Sequence, residues 1–206
     1  MKKTGILCLG LTMYLVTGVW ATQVPYQVGG FILGKDISEY SDLVKMETAL
    51  PIRYMEYIKE VEIKDIPGFK SGLIGYGDCF KPGRIVRVKL KYEDSSEKFF
   101  NSLLNRFKER FGEPEEWRGD PFHVVVAWKW SFIDSKNNRI SLALQHNTKD
   151  EDEKIGNAVK LTMTNFLDEE QTCYGKKHPE GREFLGKKAK RKKTEHLKDW
   201  DLFIPR

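Results

Sequence analysis

Residues able to do chemistry in this chain fall into a few groups: Glu113, Glu115 and Glu116; the acidic run Asp150–Glu153; His123, His146, His178 and His196; and Cys79 with Cys173. Paired carboxylates can act as general acid and base, but nothing in this spacing makes two of the glutamates face each other across a cleft. The Asp-Glu-Asp-Glu run has the look of a calcium loop. It lacks the glycine at position six and the glutamate at position twelve that an EF-hand needs, so it reads as a solvated hairpin loop. His123 and His146 lie on strands whose alternation sends their rings to opposite sides of a sheet. His178 and His196 have neither an HxxxH spacing nor a cysteine pair nearby. The chain also lacks G-x-S-x-G, a P-loop and CxxC. The sequence therefore nominates no metal ligand, no cofactor and no catalytic residue.

Two short motifs invite a binding role. Trp128, Lys129 and Trp130 could form an aromatic platform for a sugar or peptide. Both indoles share a strand face with Val124, Val126 and Phe132, which assigns them to a core packed on Phe99, Leu103 and Phe107. Arg118-Gly119-Asp120 matches an adhesion triplet, and Gly119 with Pro121 makes a loop the sufficient account.

The densest charge is Lys187, Lys188, Lys190, Arg191, Lys192 and Lys193, broken only by Ala189 and followed by Trp200, Leu202, Phe203 and Ile204. The start of the chain bears on its purpose. Lys2 and Lys3 precede an uncharged, largely apolar run from Gly5 to Trp20, with small Ala21 after it. This is the layout of a secretory signal peptide cut after Ala21. An uncleaved anchor is the competing reading, but the run falls short of the roughly 20 apolar residues a span needs. The expected product is periplasmic or secreted, with no span after cleavage. Removal of the leader takes Cys8 with it, and Cys79 and Cys173 then permit one disulfide in an oxidising compartment. The sequence leaves open whether their sulfurs meet.

Charge divides the expected product in two. The whole chain is +5, residues 176–206 carry +6, and residues 22–175 carry −3. A block of like charge poor in apolar residues reads as a disordered interaction tail. It could be merely solvated, could tether the body to an anionic surface, or could bind nucleic acid through phosphates. Export disfavours the last. The working expectation is a tether to an envelope protein or anionic surface, made by the six cations and Trp200.

The elements that would position these groups are strands and one helix. Residues 28–34 read as an edge strand, and 35–44 as a turn or short helix. Val61 and Ile63 alternate with Glu60, Glu62 and Lys64, and 69–79 form a second strand weakened by three glycines. Val86, Val88 and Leu90 then alternate with Arg87, Lys89 and Lys91, giving one apolar face and one carrying three like charges. Phe99, Phe100, Leu103, Leu104, Phe107 and Phe111 fall on one stripe of a helix over 95–111. Asp94 is its expected N-cap, with Glu97 three residues on; Gly112 is the expected left-handed C-cap, and Pro114 ends it. Strands over 123–132, 139–146 and 159–164 follow, the first two joined by a turn at Asn137 and Asn138. The expectation is an α+β domain over 22–175: an antiparallel sheet of about six strands, β-β-β-α-β-β-β, with one amphipathic helix on one face. The two three-strand blocks suggest a duplication, without a residue-level repeat.

"FKERFGEPEEW", "VAWKWSF" and "RISLAL" together resemble a loose pattern of uncharacterised exported bacterial proteins: an amphipathic helix ending in Phe-Gly-x-Pro, a Trp-x-Trp strand, then an alternating strand. The resemblance covers roughly residues 84–166. It implies a small envelope α+β domain and carries over no active site. Three functions remain open at this point: a non-catalytic envelope protein that binds a partner or anionic surface, a periplasmic small-ligand binder using the Trp128/Trp130 face, and a hydrolase using Glu115, Glu116 or a histidine.

Overall fold

The computed structural model describes residues 23–119, 124–147 and 156–179. The first strands, β1 (Gln27–Val28) and β2 (Phe31–Ile32), pair only with each other. Residues 28–34 are thus a small separate hairpin, not the expected edge strand, and it tucks Phe31 fully into the core. A 3-10 helix at Ile37–Tyr40 follows, capped by Asp36 and Glu39 in a capping box. The remaining strands are β3 (Val44–Ile52), β4 (Met55–Ile63), β5 (Phe69–Gly77), β6 (Ile85–Tyr92), β7 (Glu116–Gly119), β8 (Val125–Ile133), β9 (Arg139–Asn147) and β10 (Ala158–Met163). The helices are α1 (Glu97–Phe111) and α2 (Thr164–Lys177).

Strands β3 to β10 form one antiparallel sheet in the order β3-β4-β5-β6-β10-β9-β8-β7. The α+β class and the antiparallel sheet agree with the periodicity. The sheet has eight strands rather than about six, and two helices rather than one. The chain runs through four strands and a helix, then repeats that order. Strands β4 and β8 start at Met55 and Val125, and β5 and β9 at Phe69 and Arg139, so each pair is offset by 70 positions. The two halves meet where β6 pairs with β10. Helix α1 crosses the second half, setting Phe100 on His146 of β9, Phe107 on Trp130 and Phe111 on Phe132 of β8. Helix α2 crosses back over β4, β5 and β6 of the first half.

Alternation fills the side beneath the helices. Val61, Ile74, Val88, Leu90, Trp130, Leu142, Leu144, Val159 and Leu161 form one buried cluster, with Leu103, Leu104, Phe107 and Phe111 of α1 packed on it. A register shift between Gly75 and Tyr76 brings Ile85 into this cluster, while Val86 is buried outside it. At the start of α1 the N-cap is Ser96, whose hydroxyl accepts the Phe99 N–H at 3.3 Å. Asp94 instead accepts the Ser96 N–H at 2.8 Å, because the chain turns once more before the helix begins. Gly112 takes the expected positive φ of 80°, and its carbonyl accepts the Trp130 indole N–H at 2.8 Å. Asn137 likewise adopts φ 61° in the turn between β8 and β9.

Helix α2 is held by polar and covalent contacts. Its only fully buried residue is Glu170, 1% exposed. The Glu170 carboxylate accepts backbone N–H groups from Cys79 at 2.7 Å, Phe80 at 2.9 Å and Lys81 at 2.7 Å. A Cβ on Gly77 would lie 2.2 Å from Glu170 Oε1, so only glycine lets the carboxylate in. One turn further on, Cys173 is bonded to Cys79 across 94 positions. Closing a loop of that length contributes about 4.7 kcal/mol in the chain-entropy model. The Tyr174 hydroxyl then donates to Glu56 on β4 at 2.6 Å.

Two predictions follow from these anchors. Glu170→Ala strands three backbone donors, so urea unfolding should show a loss of about 3 kcal/mol or more, with the disulfide still intact by mass. A loss below about 1 kcal/mol would show that the loop finds other acceptors. Asp134 gives a pH signature. Burial alone would raise its pKa, but hydrogen bonds from Tyr26, from the Asn138 side chain, and from the Asn138 and Lys136 N–H groups hold it down to about 2. A carboxyl with a depressed folded-state pKa stabilises the fold above its unfolded value near 4. That contribution disappears as pH falls towards 2. Asp134→Asn should therefore flatten the stability profile between pH 4 and 2 in acid melts; an unchanged slope would refute the assignment.

Candidate functional site

The helices cover one side of the sheet, and the alternation that fills the core turns a second set of side chains to the other. On β6, Val88 and Leu90 point to the helices while Arg87, Lys89 and Lys91 point away. On β10, Val159 and Leu161 enter the core and Lys160 points away. The register sets Lys160 directly opposite Lys89 and Ala158 opposite Lys91. One strand further, Ala143 of β9 lies opposite both Lys160 and Lys129 of β8. On the next row, Ala127 lies opposite Arg118 of β7. Arg87, Lys89, Lys91, Arg118, Lys129 and Lys160 thus share one face, although residues 22–175 carry −3 overall.

Some of these cations are answered and some are not. Glu60 takes Arg87 at 2.6 Å, and Glu116 takes Arg118 at 2.8 Å and Lys129 at 3.4 Å. Lys89 and Lys160 are exposed and have no ion-pair partner among the described residues. Two like charges directly opposite each other on neighbouring strands destabilise a sheet. The crowding has a direction. Loss of water around Lys160, and then the charges of Arg87, Lys89, Arg118 and Lys129, push its ammonium below the usual lysine range. Lys91 is shifted the same way, by loss of water first and then by Lys70. Residues from Glu60 on β4 to Arg118 on β7 line one hollow of about 550 Å³, so the face curves inward. A second hollow of about 630 Å³ adjoins it through Leu73, Lys89, Gln145 and Ala158, and reaches Lys45, Lys64 and Lys70. Neither lining contains an aromatic side chain.

The residues singled out in the sequence are dispersed. His146 is buried under α1, stacked on Phe100 at 4.9 Å, with its Nδ1 2.6 Å from Asn157 Oδ1. The Asn157 amide in turn donates to the carbonyls of Asp94 and Ser96. His178 ends α2 and stacks on Tyr174. Glu116 belongs to the cationic face and His146 to the helix side, so the sheet separates them. Glu113 pairs with Lys108 at 2.8 Å, and the Glu115 N–H donates to the Lys129 carbonyl. Trp130 is buried and Trp128 half-buried on the helix side, packed as the alternation expects. Arg118 and Gly119 lie in strand β7, not in the expected loop, because they pair with Ala127 and Val126. Cys79 and Cys173 form a disulfide, the pairing expected once Cys8 is set aside. His123, His196, Asp120, Asp150–Glu153, the residues 1–21 expected to be a leader, Trp200 and the cations Lys187, Lys188, Lys190, Arg191, Lys192 and Lys193 lie outside the described residues.

Sequence reasoning saw three of the six cations together, on β6, and missed the other three. Lys129 was absorbed into the tryptophan motif, Arg118 into the adhesion triplet, and Lys160 stood alone. Only the strand order joins them. Among the described residues, no group of three or more His, Cys, Asp or Glu could hold a metal ion, and no helix is long and apolar enough to cross a membrane. Fold and site together describe an α+β domain with one side sealed by helices and, among the described residues, a cationic side that no helix covers. No protein-family model matches the chain, and no curated protein or solved structure matches it.

The electrostatics can be checked without a ligand. Lys160→Met removes one member of a mutually repelling set, so the melting temperature at low ionic strength should rise by about 2 °C, and the gain should shrink in 0.5 M salt. A fall at low salt would show that the ammonium is held by contacts that outweigh the repulsion.

Proposed function

We propose that this chain is a non-catalytic, exported binding protein that attaches to an anionic partner or surface. The single observation that carries the reading is the Lys89–Lys160 pair at the centre of the face that no described helix covers, ringed by Arg87, Lys91, Arg118 and Lys129. A hollow lined by one sign of charge concentrates counter-charged ligands. The disulfide supports export, since such bonds persist in oxidising compartments. The basic residues of 187–193 add a second source of positive charge on the same chain, with the apolar Trp200 following it in sequence. In this reading the folded face gives a fixed geometry and the basic run adds non-directional attraction, worth about 1 kcal/mol per cation near an anionic membrane.

The test is a panel. Full-length oxidised protein is mixed with phosphatidylglycerol vesicles, long-chain polyphosphate and polyglutamate, at 50 and 500 mM salt, with phosphatidylcholine vesicles as the neutral control. The expected result is binding to at least one anionic probe that weakens tenfold or more at high salt, and none to the neutral vesicles. Replacing the six cations of 187–193 by Gln should reduce that binding without abolishing it. Failure to bind every anionic probe at 50 mM salt would end the reading.

A further inference from the structure

Resting on the binding role just proposed, we infer that the Lys89–Lys160 strip takes a linear polymer of repeating phosphate groups, laid along strands β6 and β10. Three features select a chain over a flat membrane and over a nucleic acid.

The first is the placing of charge. Arg87, Lys89 and Lys91 follow one another at every second residue of β6, hence roughly 7 Å apart, and Lys160 stands beside the middle one. Positive charge therefore runs as a line along the strands at the centre of the face. The flanks are acidic or neutralised: Glu60 and Glu62 on β4, with Glu62 engaged by Lys45, and Glu116 on β7 between Arg118 and Lys129. A bilayer pressed on this face would meet the flanking glutamates. A narrow chain would meet the lysines.

The second feature is the floor. Between the cations the face carries Ala127, Ala143 and Ala158, whose short side chains leave room for a chain among the ammonium groups. Negative charge placed there would relieve the repulsion that crowds Lys160.

The third is chemical type. The two unanswered cations are lysines, which bind phosphate as point charges without the directional fork of arginine. The absence of aromatic side chains from the lining removes the stacking platforms that hold single-stranded nucleic acid. What remains recognises closely repeated phosphate charge and offers nothing on which a base could stack.

The experiment uses the full-length oxidised chain with the six cations of 187–193 replaced by Gln, so that the face is read alone. Binding is measured by calorimetry to long-chain polyphosphate, inorganic phosphate, oligo-dT and phosphatidylglycerol vesicles. Expected is tight binding of long polyphosphate, no detectable binding of inorganic phosphate, and weaker binding of oligo-dT at equal phosphate. With about three phosphates neutralised, since Glu60 already holds Arg87, affinity for polyphosphate should fall about 10²–10³-fold from 50 to 500 mM salt. Lys89→Glu with Lys160→Glu should weaken it tenfold or more. Lys35→Glu with Lys136→Glu, the same change in net charge placed away from the strip, should weaken it less than threefold. If the reversal variant does not fold, Lys89→Met with Lys160→Met carries the comparison. Equal losses in the two double variants would overturn the inference. So would vesicles bound through the face in place of polyphosphate, which would leave the anionic binding role standing. Oligo-dT bound as tightly as polyphosphate would point to nucleic acid and also overturn it. Binding of no anionic probe, even with residues 187–193 intact, would remove both.

Discussion

The register between β6 and β10 is the constraint on which fold and site both depend. It is the seam where the two four-strand halves join. With Lys89 opposite Lys160, Val88 meets Leu161 and Leu90 meets Val159 on the helix side. A slip of one residue on either strand would carry its apolar set to the open face and its lysines into the core. Burying an unpaired ammonium there would cost several kcal/mol. The core therefore fixes the register, and the register places two like charges side by side on the opposite surface. The cationic centre is a by-product of the alternation only in part: alternation demands polar residues at 89 and 160, but not two lysines.

The second half is secured by different means from the first. Helix α1 has six apolar side chains on one stripe and is held by packing. Helix α2 buries a glutamate, so its attachment rests on three backbone N–H groups, a disulfide and a tyrosine–glutamate hydrogen bond. These anchors all reach back to the first half, to β4 and to the loop after β5. Each helix crosses the sheet of the half it does not belong to, so neither half can leave without unsealing the other. Every strand that contributes a cation to the open face is backed by a helix or by a neighbour that is.

Much of this was legible in the chain, for physical reasons that differ by element. The stripe of α1 and the alternation of β6, β8, β9 and β10 stand out because apolar burial is their main stabilising term, and burial leaves a period. The turn at Asn137 and the cap at Gly112 stand out because few residues tolerate positive φ. Helix α2 leaves no such period, since what it buries is Glu170. Strand β3 carries Pro51 and a register shift between Lys45 and Leu50, so its alternation is broken on an outer edge. Strand β7 is four residues long and reads as a loop. The site was illegible for a further reason. Its six cations come from four strands, and only the sheet order makes neighbours of Lys89, Lys160 and Lys129. The three β6 cations were visible as an alternating set, but nothing local indicates what lies across from them.

The distribution of charge then separates two kinds of attraction. Residues 22–175 are net negative, so a counter-charged ligand gains nothing from the body as a whole. Beyond about one Debye length, near 8 Å at physiological salt, it would feel little of the face either. In the proposed binding, long-range capture falls to the block at 187–193, where the like charges are contiguous in sequence. Selection in that proposal comes at contact, where the ligand would displace water from the hollow and relieve the Lys89–Lys160 repulsion. A sheet that sets two unanswered lysines opposite each other gives up stability in the free state. In the proposed binding that loss would be recovered when negative charge lies between them, so the free energy of binding would include a part already stored in the fold.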